Sequence, residues 1–214
     1  MFISILGDSI STYQDVSNDR AANNTIGVNP YFYREPFPLE KTYWMRVLKA
    51  LGFALCVNNS WSGGNLSGTG DECAGVNRAA HLSREDGTAP DLVILFMGIN
   101  DLGRGVKTEL FAADYEQTLK KIQAQYPYAF VCCVNLPDRE PYFKPRTEAF
   151  NQAIDAAAAN VGARVFVADL FHSRLNNDNY YVNTVDGLHP DEDGMKIIAE
   201  VVEEAIRQHC PTAQ

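Results

Sequence analysis

Three residues of the types used in nucleophilic catalysis lie near opposite ends of this sequence. Ser9 stands in "GDSIS", directly after the apolar run 2–6, where we expect a turn. Asp186 and His189 stand three residues apart in "VDGLHPDEDG". A short loop can aim the carboxylate at one ring nitrogen and leave the other for the hydroxyl. A hydroxyl, a base and a carboxylate that orients the base form the arrangement used for acyl transfer.

The serine is a weak signal by itself, because a serine after a strand is more often a turn or helix-cap residue. The motif is also not a G-x-S-x-G elbow, since Ser11 occupies the final glycine position. The histidine is more informative, because Pro190 restricts His189 to an extended backbone and helps to fix the direction of the ring. We expect no equally placed acid for His172, and helical or polar surroundings for the other two, His81 and His209.

Acyl transfer also needs hydrogen-bond donors for the developing oxyanion, and two segments offer them. "GIND" contains the side-chain amide of Asn100, and "NNSWSGG" contains glycines where the backbone can approach a substrate closely. One such donor changes the rate by ~10²–10³. Each segment alone is compatible with an ordinary turn or helix cap. Together with the serine, aspartate and histidine they favour an acyl-transfer site.

The elements that position these residues follow from apolar periodicity. Buried strands are predicted at 2–6, 53–58, 91–97, 129–135 and 164–169, and helices at 42–51, 108–125, 147–161 and 191–209. Continuous apolar strands are typical of a parallel sheet covered on both faces. The alternation predicts an α/β fold, a three-layer α/β/α sandwich with a five-stranded, mostly parallel sheet. Sites in such sheets lie beyond the carboxyl ends of the strands, where "GDSIS", "NNSWSGG", "GIND" and "NLPDREP" are expected.

Two further segments carry local predictions. Thr108 is expected to cap an amphipathic helix whose apolar face contains Leu110, Phe111, Tyr115, Leu119 and Ile122. The connection 10–41 is long for a compact domain. Aromatic residues within 31–44 could line a pocket, form a dimer contact or belong to an ordinary surface loop.

Composition limits the function classes. The chain has 214 residues, 46% hydrophobic and 21% charged, and we expect one domain over 1–214. A net charge of -9 disfavours nucleic-acid partners and anionic lipid surfaces. No signal peptide or membrane span is recognisable. Five cysteines without metal-type spacing, two of them adjacent (Cys132 and Cys133), favour a reduced, cytoplasmic protein.

The blocks "GDSIS", "NNSWSGG", "GIND" and "DGLHP" occur in the order found in SGNH hydrolases, and the sequence resembles this GDSL-type family over residues 7 to 190. The resemblance implies a flavodoxin-like sandwich and a serine esterase without metal or organic cofactor. It implies that Ser9 is the nucleophile, His189 the base and then acid, and Asp186 the residue that orients the ring. The oxyanion hole would be formed by the backbone N–H groups of Ser9 and Gly63 and the side chain of Asn100.

Within the resemblance, Gly63 is preferred to Gly64 because "N-x-S-x-S-G" then matches the family's second block. Asp8 and Asp101 also match block positions, where a role in fixing turns is expected. Ile10 and Ser11 differ from the better-known lipases without removing a catalytic group.

The expected reaction is hydrolysis of short acyl esters, such as acetyl esters, of a carbohydrate or another small polar alcohol. A lysophospholipase or thioesterase acting on longer chains is the enzymatic alternative. A binding module for acylated carbohydrate and a receiver-like domain phosphorylated at Asp8 are alternatives from other classes. The expected partner is a small-molecule ester, and a homo-oligomer is possible.

Overall fold

The five strands of the sheet are β1 (Phe2–Gly7), β2 (Ala54–Ser60), β3 (Leu92–Phe96), β4 (Phe130–Val134) and β5 (Val165–Ala168). The computed structural model describes residues 1–13, 16 and 37–210. The strand order is β2-β1-β3-β4-β5, and every neighbouring pair is parallel. This is the flavodoxin-like order, so the predicted sandwich is confirmed, with a sheet that is wholly parallel rather than mostly so.

In the described residues, six α-helices accompany the sheet: α1 (Tyr43–Leu51), α2 (Gly75–Arg78), α3 (Ile99–Gly103), α4 (Thr108–Gln125), α5 (Lys144–Val161) and α6 (Glu192–His209). Helix α1 packs against α6, whereas α4 packs against α5 and α2. The strands are buried between these groups, and β3 has no exposed residue. Burial on both faces explains why the strands read as continuous apolar runs in the sequence.

The aromatic segment 31–44 is only partly described. Tyr43 and Trp44 are fully buried in the core, so the prediction that they line a pocket or a dimer contact is wrong. Tyr43 packs edge-on against Phe96 at 5.8 Å between ring centroids. Phe37 is partly buried and packs against the core. The other aromatic residues of the expected wall, within 31–36, lie outside the described residues, as does most of the connection 10–41.

Two local predictions are corrected by the structure. Helix α4 begins at Thr108, but its N-cap is Lys107, and no side chain caps it. Leu110 is 50% exposed and does not belong to the buried face, because that face is formed by the other predicted residues, Phe111, Tyr115, Leu119 and Ile122. The second strand also runs two residues further than the predicted end at 58, so that the buried Asn59 and Ser60 end β2 instead of following it.

The loop before α6 is closed at both ends. Thr184 and Pro190 form an antiparallel bridge, so the backbone between them is a compact turn. Asp191 then caps α6, and its side chain accepts the N–H groups of Asp193 and Gly194 at 3.0 Å each. The loop and the helix are therefore fixed relative to each other.

Two expectations from the composition concern reduced cysteines and the lack of a membrane span. All five cysteines lie in the described part of the chain and have free thiols. Within that part, we find no helix with the length and apolarity that crossing a bilayer requires.

Candidate active site

The turn after β1 holds Ser9 at the carboxyl end of the sheet. The Ser11 N–H donates to the Asp8 carbonyl at 3.0 Å, and the Thr12 hydroxyl donates to the Ser9 carbonyl at 2.9 Å. A Cβ atom at Gly7 would lie 2.5 Å from the Ser11 Cβ and 2.7 Å from the Ser60 Oγ. The turn can therefore pack this closely against β2 because residue 7 has no side chain.

A second loop presents the aspartate and the histidine. One Asp186 oxygen accepts the backbone N–H groups of Leu188 at 3.1 Å and His189 at 2.8 Å, while the other lies 2.8 Å from His189 Nδ1. Between them, Gly187 has a φ of 85°, which suits glycine. The Tyr180 hydroxyl holds the loop by donating to the Leu188 carbonyl at 2.9 Å.

The two loops meet although 180 residues separate them. His189 Nε2 lies 2.9 Å from Ser9 Oγ, and both residues are 6% exposed. Burial alone would raise the pKa of Asp186, but the hydrogen bonds from the His189 backbone and ring hold that pKa below its ordinary value. The carboxylate therefore stays charged at neutral pH, where it fixes the ring with Nε2 toward the serine.

The predicted oxyanion donors lie beside this turn. The Trp61 N–H donates to the Gly7 carbonyl at 3.2 Å, which ties the Gly63 loop to the end of β1. Asn100 lies in the first turn of α3, and its amide donates to the Gly64 carbonyl at 3.0 Å. Gly63 adopts a φ of 70°. The structure thus brings the second and third sequence blocks to the strand end that carries Ser9.

The two aspartates that were expected to fix turns make such contacts. The Asp101 carboxylate accepts the N–H groups of Leu66 at 2.7 Å and Ser67 at 2.9 Å. Asp8 accepts the Ile10 N–H at 3.0 Å and is 1% exposed. Burial raises the pKa of Asp8 to about 7. A carboxylate so enclosed is unsuited to receive a phosphoryl group, which argues against the receiver-like alternative.

Sequence reasoning missed a buried arginine that ties the same segments together. Arg78 is 4% exposed and donates to the carbonyls of Gly7 at 3.0 Å, Cys73 at 2.9 Å and Asn59. Its guanidinium thus joins the end of β1 to the end of β2. No sequence signal marked it, because an arginine in a short helix is usually a surface residue.

One prediction about the other histidines is wrong. His172 does have an equally placed acid: Asp169 precedes it by three residues, and His172 Nδ1 lies 2.7 Å from the Asp169 carboxylate. The segment "DLFH" has the same spacing as "DGLH", so the pair could have been found in the sequence. Asn135, in the fourth predicted edge segment, donates to Asp169 at 3.0 Å and so belongs to this second pair.

Comparison with known proteins identifies the family. The model of the GDSL-like lipase/acylhydrolase family matches residues 5–197, which include the serine turn and the aspartate–histidine loop. The chain belongs to this family. It is accordingly a carboxylic ester hydrolase.

Solved structures share the family's fold at low sequence identity. A GDSL-like protein from Bacteroides ovatus matches with a TM-score of 0.72 and 22% identity over 97% of this chain and 98% of that chain. A family two carbohydrate esterase with a carbohydrate-binding domain, from Corynascus thermopiles (Myceliophthora fergusii), matches with a TM-score of 0.69 and 20% identity over 98% of this chain and 66% of that chain. The psychrotrophic esterase EstA from Pseudoalteromonas sp. matches with a TM-score of 0.64 and 19% identity over 97% of each chain. Among curated proteins, no sequence matches this chain.

Proposed function

We propose that this family member is a serine esterase that removes short acyl groups, acetyl above all, from a carbohydrate or another small polar alcohol. The observation that carries the serine mechanism is the hydrogen-bonded series from Ser9 Oγ to His189 Nε2, at 2.9 Å, and from His189 Nδ1 to Asp186, at 2.8 Å. Both distances lie within the range that proton transfer requires.

In the first half-reaction, Ser9 Oγ forms a bond to the carbonyl carbon of the ester while its proton passes to His189 Nε2. The carbonyl π electrons move to the oxygen, which receives hydrogen bonds from the Ser9 and Gly63 N–H groups and the Asn100 amide. Collapse of this intermediate breaks the bond to the alcohol, which leaves with the proton from His189. The Asp186 carboxylate stabilises the imidazolium that exists between these steps.

In the second half-reaction, water takes the place of the alcohol. His189 removes a proton from the water as its oxygen bonds to the acyl carbon, and the same donors hold the second oxyanion. Breaking the bond to Ser9 Oγ releases the carboxylic acid and returns the proton to the serine. The enzyme ends in its starting state, so no cofactor is consumed.

The preference for a short acyl group and a polar alcohol rests on three arguments. A site at the edge of a sheet offers a shallow groove, which suits a small acyl group better than a long chain. The similar Corynascus thermopiles protein is a carbohydrate esterase. A net charge of -9 further disfavours substrates embedded in anionic lipid.

The experiment is a series of para-nitrophenyl esters from acetate to palmitate, with Ser9→Ala and a control, Ser173→Ala, alongside the native protein. We expect the highest kcat/KM with acetate, a decline with chain length, loss of turnover in Ser9→Ala and native rates in Ser173→Ala. A maximum at long chains would favour the lipid or thioesterase alternative. Turnover that survives in Ser9→Ala would contradict the serine mechanism.

The cellular setting is a separate part of the proposal. The five free thiols, four of them buried, suit a reducing compartment and support a cytoplasmic location. The partner we propose is the small-molecule ester, and a homo-oligomer stays a prediction.

A further inference from the structure

Arg104 lies one helical turn beyond Asn100 at the end of α3. Its backbone N–H donates to the Asn100 carbonyl at 2.9 Å, and its side chain is exposed. The helix therefore places a guanidinium beside a residue proposed to bind the oxyanion. The motif "GINDLGRG" contains both residues, but only the fold shows where the arginine side chain goes.

The guanidinium of Arg104 lies against the peptide of Gly63. Nη1 donates to the Gly63 carbonyl at 2.6 Å and to Asn65 Oδ1 at 2.6 Å. A Cβ atom at Gly63 would lie 3.3 Å from Nη2, so this second nitrogen also borders the loop. The guanidinium thus contacts the loop that carries the proposed oxyanion donor Gly63.

Part of this guanidinium is available to a ligand. Nη1 is occupied by its two acceptors, whereas Nη2 and Nε have no hydrogen-bond acceptor among the described residues. Among the other described arginines, four pair with glutamates, namely Arg46, Arg139, Arg174 and Arg207, and four donate to backbone carbonyls, namely Arg78, Arg84, Arg146 and Arg164. Within the described ranges, Arg104 has no such ion pair. A guanidinium with free N–H groups binds carboxylate and phosphate oxygens more strongly than neutral acceptors.

We propose that Arg104 binds a carboxylate or phosphate carried by the alcohol half of the ester, and so selects anionic substrates. The inference rests on the proposed function, because an acetyl group has no position for a charge and the anion must then lie on the alcohol. In a protein of net charge -9, a cation at the site attracts such a substrate against the overall repulsion.

The test compares two esters that differ in charge and share their acyl group, meta-acetoxybenzoate and meta-acetoxybenzamide. Arg104→Gln removes the charge but keeps an amide that can donate to the Gly63 carbonyl. Arg164→Gln makes the same charge change at the amino end of β5, on the opposite edge of the sheet, and is the matched control. We expect the ratio of kcat/KM, anionic over neutral ester, to fall about 10-fold or more in Arg104→Gln and to keep its native value in Arg164→Gln.

Salt gives a second readout of the same contact. For the native enzyme, KM for the anionic ester should rise with ionic strength, because salt screens the exposed guanidinium, and this dependence should disappear in Arg104→Gln. An equal loss for both esters in Arg104→Gln would overturn the proposal and leave Arg104 as a residue that positions Gly63.

An acyl-side comparison checks where the anion lies. Mono-para-nitrophenyl glutarate and para-nitrophenyl valerate differ by one carboxylate on the acyl group. If only this pair responded to Arg104→Gln, the assignment of the anion to the alcohol would be wrong. If the native protein hydrolysed none of the four esters, the proposed function would fail together with the inference that rests on it.

Discussion

The described residues contain two Asp–His pairs with identical spacing. The pair Asp186–His189 precedes α6, and the pair Asp169–His172 follows β5. Of the two, only Asp186–His189 faces a hydroxyl. In both pairs the acid precedes the histidine by three residues and lies within 2.8 Å of its Nδ1. In the first, His189 Nε2 reaches Ser9 at 2.9 Å. The second pair, Asp169–His172, has no hydroxyl partner for its ring among the described residues. The same local motif thus reaches a hydroxyl at one place and not at the other.

Burial separates the pairs further. The side chain of His189 is 8% exposed, whereas that of His172 is 76% exposed. Hydrogen bonds inside a protein are electrostatically stronger than those in water, so the buried ring is held in one orientation while the exposed ring is surrounded by solvent. An Asp-x-x-His sequence therefore specifies a hydrogen bond, and the surrounding loops decide whether a hydroxyl lies within reach of the second ring nitrogen.

Removing the imidazole of each pair should give the largest difference between them. His189→Ala should lower kcat/KM for para-nitrophenyl acetate by at least about 10⁴-fold, because the base for both half-reactions is lost. His172→Ala should retain the native kcat/KM. Steady-state assays of both variants decide the matter, and a comparable loss in His172→Ala would show that the second pair takes part in turnover.

Replacing the aspartate of each pair should give the next largest difference, which is a difference in kcat. Asp186→Asn should lower kcat by about 10³–10⁴-fold with little change in KM, because the ring loses the carboxylate that fixes it and stabilises its charged form. Asp169→Asn should leave kcat unchanged. Circular dichroism on both variants verifies that they fold. Native activity in folded Asp186→Asn would refute the role given to this carboxylate.

Each pair also has a neighbouring asparagine. Replacing the asparagine by alanine should affect catalysis at one pair and stability at the other. Asn100→Ala should reduce kcat by about 10²–10³-fold while KM changes less, because a donor to the oxyanion is removed. Asn135→Ala should instead destabilise the fold by about 1–3 kcal/mol, since the N–H groups of Leu170 and Phe171 lose their acceptor. Kinetics and urea unfolding on the same two proteins separate the effects. An Asn100→Ala variant that lost stability but kept kcat would contradict the assignment.

The smallest predicted effect concerns acid stability. The pKa of Asp186 is lowered from 3.8 by hydrogen bonds from His189 that outweigh burial, so its contribution to stability is present above about pH 4 and is lost as the pH falls through the lowered value. The Tm advantage of the native protein over Asp186→Asn should therefore shrink as the pH is lowered from 6 to 3. The Tm difference between the native protein and Asp169→Asn should depend less on pH, because the Asp169 side chain is 53% exposed and solvent screens its charge. A Tm difference for Asp186→Asn that did not change with pH would contradict this linkage.

Much of the architecture could be predicted because it depends on apolar periodicity. The five strands were found within about two residues at each end, and the positions of Ser9, Asp186 and His189 followed from residue type and spacing. Features set by contacts between distant segments could not be found in this way. Arg78 reads as an ordinary helical arginine, and the core positions of Tyr43 and Trp44 follow from packing against strands that lie elsewhere in the sequence.

The second Asp–His pair was missed for a different reason. Its spacing is visible in "DLFH", but this segment is followed by Ser173 and lacks the proline that follows His189. Even with Asp169 in view, the sequence does not show that His172 points to solvent, since exposure depends on how α5 and the loop after β5 pack. Local patterns therefore predict candidate pairs, and the fold is needed to choose between them.

The central claim is that His189 activates Ser9, and covalent labelling tests it most directly. The native protein and His189→Ala are treated with a fluorophosphonate, and the modified peptide is identified by mass spectrometry. We expect one adduct on Ser9 in the native protein, none in His189→Ala, and labelling of His172→Ala equal to that of the native protein. An unlabelled native protein, or an adduct on Ser9 that forms as fast without His189, would contradict the account.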